Sequence, residues 1–408
     1  MPRHPSYFLS GTNMKNSLGK LPTTFRSNPA AWSNAAAWWL WGIYGLTIIL
    51  QTRNDPPDVG NVCGIYFQAG ADFLAGRPLY SEPEPRFLYF PSAACFFTLF
   101  AHAPFTPMAV LWRFANLTLF SVGVFSLARA ERVDGSRVSF LQTSIIACML
   151  SIGATKLGQM TLAMAGLLML AAVNLERSRF WRASLFMALA VAFKPISLPF
   201  LLLATVAYRA SILRTLLFLL VMFLLPFLFQ DSAYIFAQYA DVPHMLNTTA
   251  RNKESIIMPS LIGLIQAIGV SFGNREQLIV RLLCAIAALW VYIVGKSRLQ
   301  ESADRSLFLY GIYAGFLLLL SPGTEKNTYA MLAPVVGVLW CLSGSHGRRL
   351  VQVVLGLVVL SSLLSHALQV LLKTPLSQMV KPLGAVVVMA VLIQKAFSQP
   401  TTNVAPTL

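Results

Sequence analysis

Ser321-Pro322-Gly323-Thr324-Glu325-Lys326-Asn327-Thr328-Tyr329 is a polar knot between two apolar stretches, each long enough to cross a bilayer. Glu325 and Lys326 stand side by side within it. Ionisable groups at such a place are strongly disfavoured unless they face water, a partner or a substrate, so the knot marks a working site in a polytopic membrane protein.

Composition agrees. Hydrophobic residues make up 56% and charged residues 11% of the 408, with a mean hydropathy of +0.64, which does not fit a soluble globule. Apolar runs of about 16 to 25 residues recur from Ala31 to Phe397, the length that a hydrocarbon core of roughly 30 Å demands of a helix. No run alternates as an outer-membrane strand would. The expected fold class is an all-α polytopic integral membrane protein of about 12 transmembrane helices, with eleven to thirteen allowed. The net charge of +16 is scattered between hydrophobic spans and not gathered into a basic domain, so the bilayer is the expected partner and nucleic acid is not.

Residues 1–32 carry Arg3, Lys15, Lys20 and Arg26 without a carboxylate and read as a cytoplasmic basic tail. A first span from about Ala35 to Gln51 delivers the chain outward, where residues 52 to 87 hold five of the 15 acids. Later short connections are basic: Arg129, Arg132 and Arg137; Arg177, Arg179 and Arg182; Arg209 and Arg214; Lys296, Arg298 and Arg305; Arg348 and Arg349. Placing these inside obeys the positive-inside rule. The outward turns are then Lys156 to Gln159, Lys194-Pro195, the loop 231 to 256, Glu325-Lys326, and Lys373 to Lys381. Both termini are expected in the cytoplasm, with residues 33–345 as the main module, 346–397 as C-terminal transmembrane helices and 398–408 as a second tail.

Two stretches need internal breaks. Residues 183 to 208 leave and return within one apolar run, so proline is expected to divide them at Lys194-Pro195 into two short helices. Residues 88 to 128 hold enough apolar length for two crossings where the charge pattern allows a net single one, and Pro104 and Pro107 mark the break.

The five cysteines are dispersed, and the histidines show no metal-ligand spacing. No phosphate-cradling Gly-Lys-Ser/Thr loop and no dinucleotide fingerprint is present. The first outward loop is the more informative region, reading Asp55-Pro56-Pro57-Asp58, then Tyr66 to Tyr80, then Phe87-Leu88-Tyr89-Phe90-Pro91. Tyr66 to Leu74 has the spacing of a short amphipathic helix lying on the membrane surface, with Gly76 as its stop. A carboxylate ahead of such a helix stands where a general base would take a proton from an incoming hydroxyl, whereas the plain alternative for Asp55 and Asp58 is a solvated loop acid or helix cap.

The order of an acidic outward loop, Ala69-Gly70, Gly76-x-x-Leu79-Tyr80 and Phe87-x-Tyr89-x-Pro91 resembles the start of the GT-C glycosyltransferases of family 87, the DUF2029 group that includes polyprenyl-phosphate-mannose-dependent mannosyltransferases. Further matches are Gly158-Gln159-x-Thr161, Phe193-Lys194-Pro195 and Ser321-Pro322-x-Thr324-Glu325-x-Asn327-x-Tyr329. The resemblance implies a GT-C-like fold and inverting transfer of a mannose-like sugar from a polyprenyl-phosphate donor to a lipid or glycan acceptor. It sets the site on the extracytoplasmic face of the plasma (inner) membrane. It further implies a loop aspartate as base, for which Asp58 is the choice here, with Asp55 in reserve. In relatives the loop acid lies closer to the Ala-Gly helix, and tryptophan and histidines follow Ser-Pro where this chain has Glu325 and Asn327.

Such a transfer needs a base for the acceptor hydroxyl and positive charge for the departing phosphate. Lys194 at the proline break is the leading candidate for the second task, with Arg251 on the other side of the phosphate; snorkelling and an ordinary loop charge are the respective alternatives. Glu325 is read as facing the cavity, binding sugar hydroxyls or orienting the base, with Asn327 and Tyr329 as hydrogen-bonding neighbours, Gln159 in a similar role and Lys326 as a further substrate-binding residue. The plain alternative for Glu325 and Lys326 is a local surface ion pair, and Tyr80 and Tyr89 either line the sugar site or are interfacial aromatics. No cofactor is expected, and no metal, because a lipid monophosphate lacks the pyrophosphate that usually recruits one. A secondary transporter would also carry about a dozen spans and broken helices, but predicts related halves, which the chain does not show. A lipid-linked glycan flippase or polymerase is the third reading.

Overall fold

A computed structural model describes residues 29–54, 62–80, 87–130, 138–254, 259–270, 272–321, 324–345, 347–372 and 379–398. Among these residues the chain is helical, with no strand. The first half comprises α1 (Pro29–Thr52), α2 (Val62–Leu74), α3 (Pro91–Ala101), α4 (Phe105–Ala128), α5 (Phe140–Lys156), α6 (Thr161–Glu176), α7 (Phe180–Phe193), α8 (Leu198–Ala207) and α9 (Ile212–Leu224). The second comprises α10 (Ser232–Glu254), α11 (Leu261–Ala267), α12 (Asn274–Arg298), α13 (Ser302–Leu320), α14 (Ala333–Ser345), α15 (Arg349–Leu372) and α16 (Val380–Phe397).

Among the described residues six helical stretches are long and apolar enough to cross a membrane: Phe105–Ala128, Arg209–Leu228, Asn274–Arg298, Ser302–Leu320, Lys326–Gly344 and Val380–Phe397. Against the expected twelve or so, these are six candidate spans among the described residues. α1 and α15 are 24 residues each, while α3, α5, α6, α7 and α8 have 10–17 residues, short of the roughly 20 a crossing requires, because prolines and polar turns interrupt the runs. Both expected breaks are present. Residues 183 to 208 divide at Lys194, whose backbone is extended, followed by a 3-10 turn over Pro195–Ser197. Residues 88 to 128 divide into the eleven-residue α3 and the 24-residue α4, with Pro104 at the N-cap of α4.

Burial sorts the helices into a core and a rim. The stretches Ser302–Leu320 and Lys326–Gly344 are each 83% buried, whereas the α12 stretch is 11% and the α9 stretch 17% buried. The rim carries Leu213, Leu216, Leu220 and Leu224 on α9 and Leu282, Leu283, Ile286 and Trp290 on α12, all exposed. Apolar patches of that extent are unstable in water and are the natural surface toward lipid.

Two segments depart from the sequence expectation. The helix expected over Tyr66 to Leu74 starts earlier, at Val62, and ends as anticipated. Gly76, at φ +64°, donates to the Phe73 carbonyl while the Arg77 N–H reaches Asp72, the two bonds of a Schellman stop. One face of the helix packs into the protein, with Tyr66, Phe67 and Phe73 in an aromatic cluster with Phe97 and Trp112, while Gln68 stays exposed. The expected loop 231 to 256 is largely the helix α10. Its apolar content is too low for a hydropathy signal, yet Ile235, Gln238, Val242 and Met245 are buried at helical spacing.

The polar groups separate to opposite ends. At one end Arg305 Nε donates to Glu176 Oε2 at 2.7 Å, Lys395 pairs with Asp304 at 2.6 Å, and the Lys296 ammonium lies 3.5 Å from the Tyr208 ring centroid. These groups join the C-terminal ends of α6, α12 and α16 to the N-terminal end of α13. The other end of α6, sixteen residues or roughly 24 Å away at 1.5 Å per residue, carries Gln159 and Thr161.

Candidate functional site

The site is assembled on the turn between α5 and α6. Gly158, at φ +64°, lets the chain reverse: its N–H reaches the Thr155 carbonyl and the Gln159 N–H reaches that of Ala154. A Cβ at Gly158 would also run into the Cys63 sulfur. Three residues of α4 grip this turn. Trp112 Nε1 donates to the Gly158 carbonyl at 2.8 Å, Arg113 donates twice to the Lys156 carbonyl at 3.1 and 2.9 Å, and Asn116 Nδ2 donates to the Gln159 carbonyl at 2.6 Å. Asn116 Oδ1 also accepts the Ala163 N–H, so one amide ties both sides of the turn. Tyr66 adds a grip from α2, its hydroxyl accepting the Met160 N–H at 3.2 Å.

Held in this way, Gln159 is buried and donates from Nε2 to Glu325 Oε2 at 2.9 Å. Its Oε1 is buried and has no hydrogen-bond partner among the described residues. Glu325 is exposed and starts the 3-10 turn Lys326–Leu332. Two residues beyond Gln159, the Thr161 hydroxyl accepts from Lys194 Nζ at 2.6 Å, which brings the half-buried ammonium from the α7–α8 break toward the head of α6.

The tyrosines are braced. Tyr80 donates to the Tyr89 carbonyl at 2.6 Å, and the Tyr66 and Tyr89 hydroxyls lie 3.1 Å apart. Burial pushes the Tyr89 phenol up to about 12; the Tyr66 hydrogen bond opposes this and the Glu325 charge adds to it. Tyr80 is raised by burial too. Tyr329 is buried, with its hydroxyl on the Pro259 carbonyl at 2.7 Å. Lys326 and Asn327 are half-buried and line a cavity discussed below.

The sequence-predicted residues Gln159, Glu325, Lys194 and Tyr89 thus gather at one end of α6. Asp55 and Asp58 lie outside the described residues, and Arg251 falls on α10 with its side chain outside the description. Sequence reading missed the grip by Trp112, Arg113, Asn116 and Tyr66. An arginine within an apolar run signals a buried partner, but that partner, a backbone carbonyl 43 positions away, leaves no mark in the sequence.

Chemically, a carboxylate with a buried amide beside it, and an ammonium nearby, suits hydroxyl groups and an anion. The profile of glycosyltransferase family 87 matches residues 87–322, more than half of the 408. The match takes in Gln159, Thr161 and Lys194 and ends just before Glu325. No curated protein matches the chain.

Proposed function

The chain belongs to glycosyltransferase family 87, and from that premise we propose that it is a membrane enzyme moving a mannose-like sugar from a polyprenyl-phosphate donor to a lipid or glycan acceptor. The observation that supports this reading most directly is the meeting of Glu325, Gln159 and the Lys194–Thr161 pair at one end of α6. Hydroxyl acceptors and positive charge are the two things a sugar phosphate needs from a protein.

In the proposed step, Asp58, or Asp55 in its place, takes the proton of the acceptor hydroxyl. The acceptor oxygen attacks the anomeric carbon from the face opposite the phosphate, and the carbon–oxygen bond to phosphate breaks. The electron pair leaves on polyprenyl monophosphate, and the anomeric configuration inverts. Lys194 and Lys326, with Arg251, supply positive charge for the departing phosphate. Glu325, Gln159 and Asn327 bind sugar hydroxyls, and Tyr80, Tyr89 and Tyr329 shape the wall. No metal or cofactor is required, so transfer is expected to survive chelation. We place the site outside the plasma (inner) membrane and both termini in the cytoplasm, because arginine and lysine gather at the opposite end of the helices.

The test is transfer of radiolabelled sugar from polyprenyl-phosphate mannose, and a panel of related lipid donors, in membranes holding wild type or Asp58→Asn. Activity in wild type and its loss in the variant at equal expression supports both class and base. Equal transfer by both proteins moves the base to Asp55, and no transfer by either from any donor overturns the donor assignment.

A further inference from the structure

On the far side of the Glu325 turn a cavity of about 420 Å³ opens between α5, the 3-10 turn, α15 and α16. This volume falls within the ~300–1,000 Å³ of ordinary ligand pockets. Two of its walls share one pattern. On α16, Lys381, Ala385 and Val388 follow at helical spacing, and from the 3-10 turn into α14, Lys326, Tyr329, Leu332 and Val336 do the same. Each wall starts with a lysine at the site end and continues apolar. From Lys381 to Val388 the run descends roughly 10 Å. The lysines are brought together by a hydrogen bond of 3.0 Å from Lys381 Nζ to the Lys326 carbonyl. The remaining walls come from Gly153 on α5 and Val358 and Ser362 on α15, and no carboxylate is among the lining residues.

A cationic mouth over an apolar slot matches a lipid whose single anionic group sits at the head of a long tail. We infer that this cavity seats the phosphate-proximal isoprene units of a polyprenyl monophosphate, with its phosphate between Lys326 and Lys381. The inference rests on the donor class proposed above and assigns that donor a berth built largely by α15 and α16, beyond the matched residues 87–322. Lys326 directly follows Glu325, so a phosphate held there lies next to the residue proposed to bind the sugar. The tail meanwhile runs down between helices, away from the polar site.

The experiment uses the purified full chain in lipid nanodiscs and a polyprenyl monophosphate carrying a diazirine in its first isoprene units, with peptide mapping of the adducts. Label is expected on α5, α15 and α16. Lys381→Gln is expected to reduce it about tenfold, the size of a lost charge-assisted hydrogen bond, with Lys381→Arg close to wild type. Ser362→Trp, which fills the slot from a half-buried position, is expected to abolish label while the unfolding temperature stays near that of wild type.

Label mapping elsewhere overturns the inference, as does label unchanged in Ser362→Trp. Equal competition by polyprenol removes the phosphate from the account, and equal competition by phosphatidate removes the isoprenoid; either result overturns it. The two proposals fail separately. Sugar transfer that proceeds at the wild-type rate in Lys381→Gln and Ser362→Trp overturns the berth and leaves the transferase reading standing. Label in the cavity of a protein that transfers no sugar supports the berth and overturns the donor reading.

Discussion

Gln159 and Glu325, 166 positions apart, are joined by a 2.9 Å hydrogen bond from the buried amide to the exposed carboxylate. The bond fixes which way the amide points, because only its nitrogen can donate to a carboxylate. The amide oxygen then lies buried without a partner among the described residues.

Glu325→Gln and Gln159→Leu are therefore expected to lower sugar transfer roughly 10- to 100-fold each, the equivalent of one charge-assisted hydrogen bond. Glu325 is exposed, so its variant should unfold at the wild-type temperature. Transfer by Glu325→Gln at the wild-type rate across substrate concentrations would remove Glu325 from the sugar site.

The grip of α4 on the α5–α6 turn predicts a different signature. Asn116→Ala strands the Ala163 N–H and leaves the Gln159 carbonyl only its 3.4 Å bond from the Leu162 N–H, and a buried unpaired group is unfavourable by about 1–3 kcal/mol. The variant should lose both thermal stability and transfer. Asn116→Asp, which keeps the acceptor and loses the donor, should fall between it and wild type in detergent melting curves.

At the opposite end, Arg305→Ala leaves the Glu176 carboxylate, 4% exposed, without its guanidinium. Removing one partner of a buried pair destabilises by about 3–5 kcal/mol. The double variant Arg305→Ala with Glu176→Gln should recover much of that loss in chemical denaturation. Such variants are expected to keep the transfer rate of the folded fraction, since the pair lies roughly 24 Å from Gln159 along α6.

Alkaline pH should weaken the tyrosine cluster. Burial raises the Tyr89 phenol from 10.0 to about 12, so the folded state favours the protonated form. Its contribution to stability is complete below pH about 10 and is lost as pH rises toward about 12. Unfolding followed from pH 9 to 12 should show this decline in wild type and less of it in Tyr89→Phe; identical profiles would contradict the assignment.

Much was legible because the bilayer is an exacting solvent. Composition, with apolar runs that do not alternate, specified helices, since backbone groups in hydrocarbon must be satisfied internally. Lys194-Pro195 and Pro104 announced their breaks because proline removes a helix donor wherever it stands. Gly76 announced a stop because it adopts the left-handed conformation other residues resist. The polar positions Gln159, Lys194 and Glu325 stood out against apolar surroundings for the same energetic reason.

What the sequence could not determine was partnership. Hydropathy counts apolar length but is blind to which helices pack inside others: among the described residues six helical stretches have the length and hydropathy of a crossing, the heavily buried pair Ser302–Leu320 and Lys326–Gly344 and the exposed α12 alike. It registered α2 as amphipathic without revealing that its apolar face packs on Phe97 and Trp112. It placed Lys381 in an outward turn without its acceptor, the carbonyl of Lys326. Periodicity and residue type are local and survive in one dimension. The bonds that hold Gln159 to Glu325 and Lys194 to Thr161 exist only after α5, α6, α7 and α13 have packed, because their energy depends on distances between residues far apart in the chain.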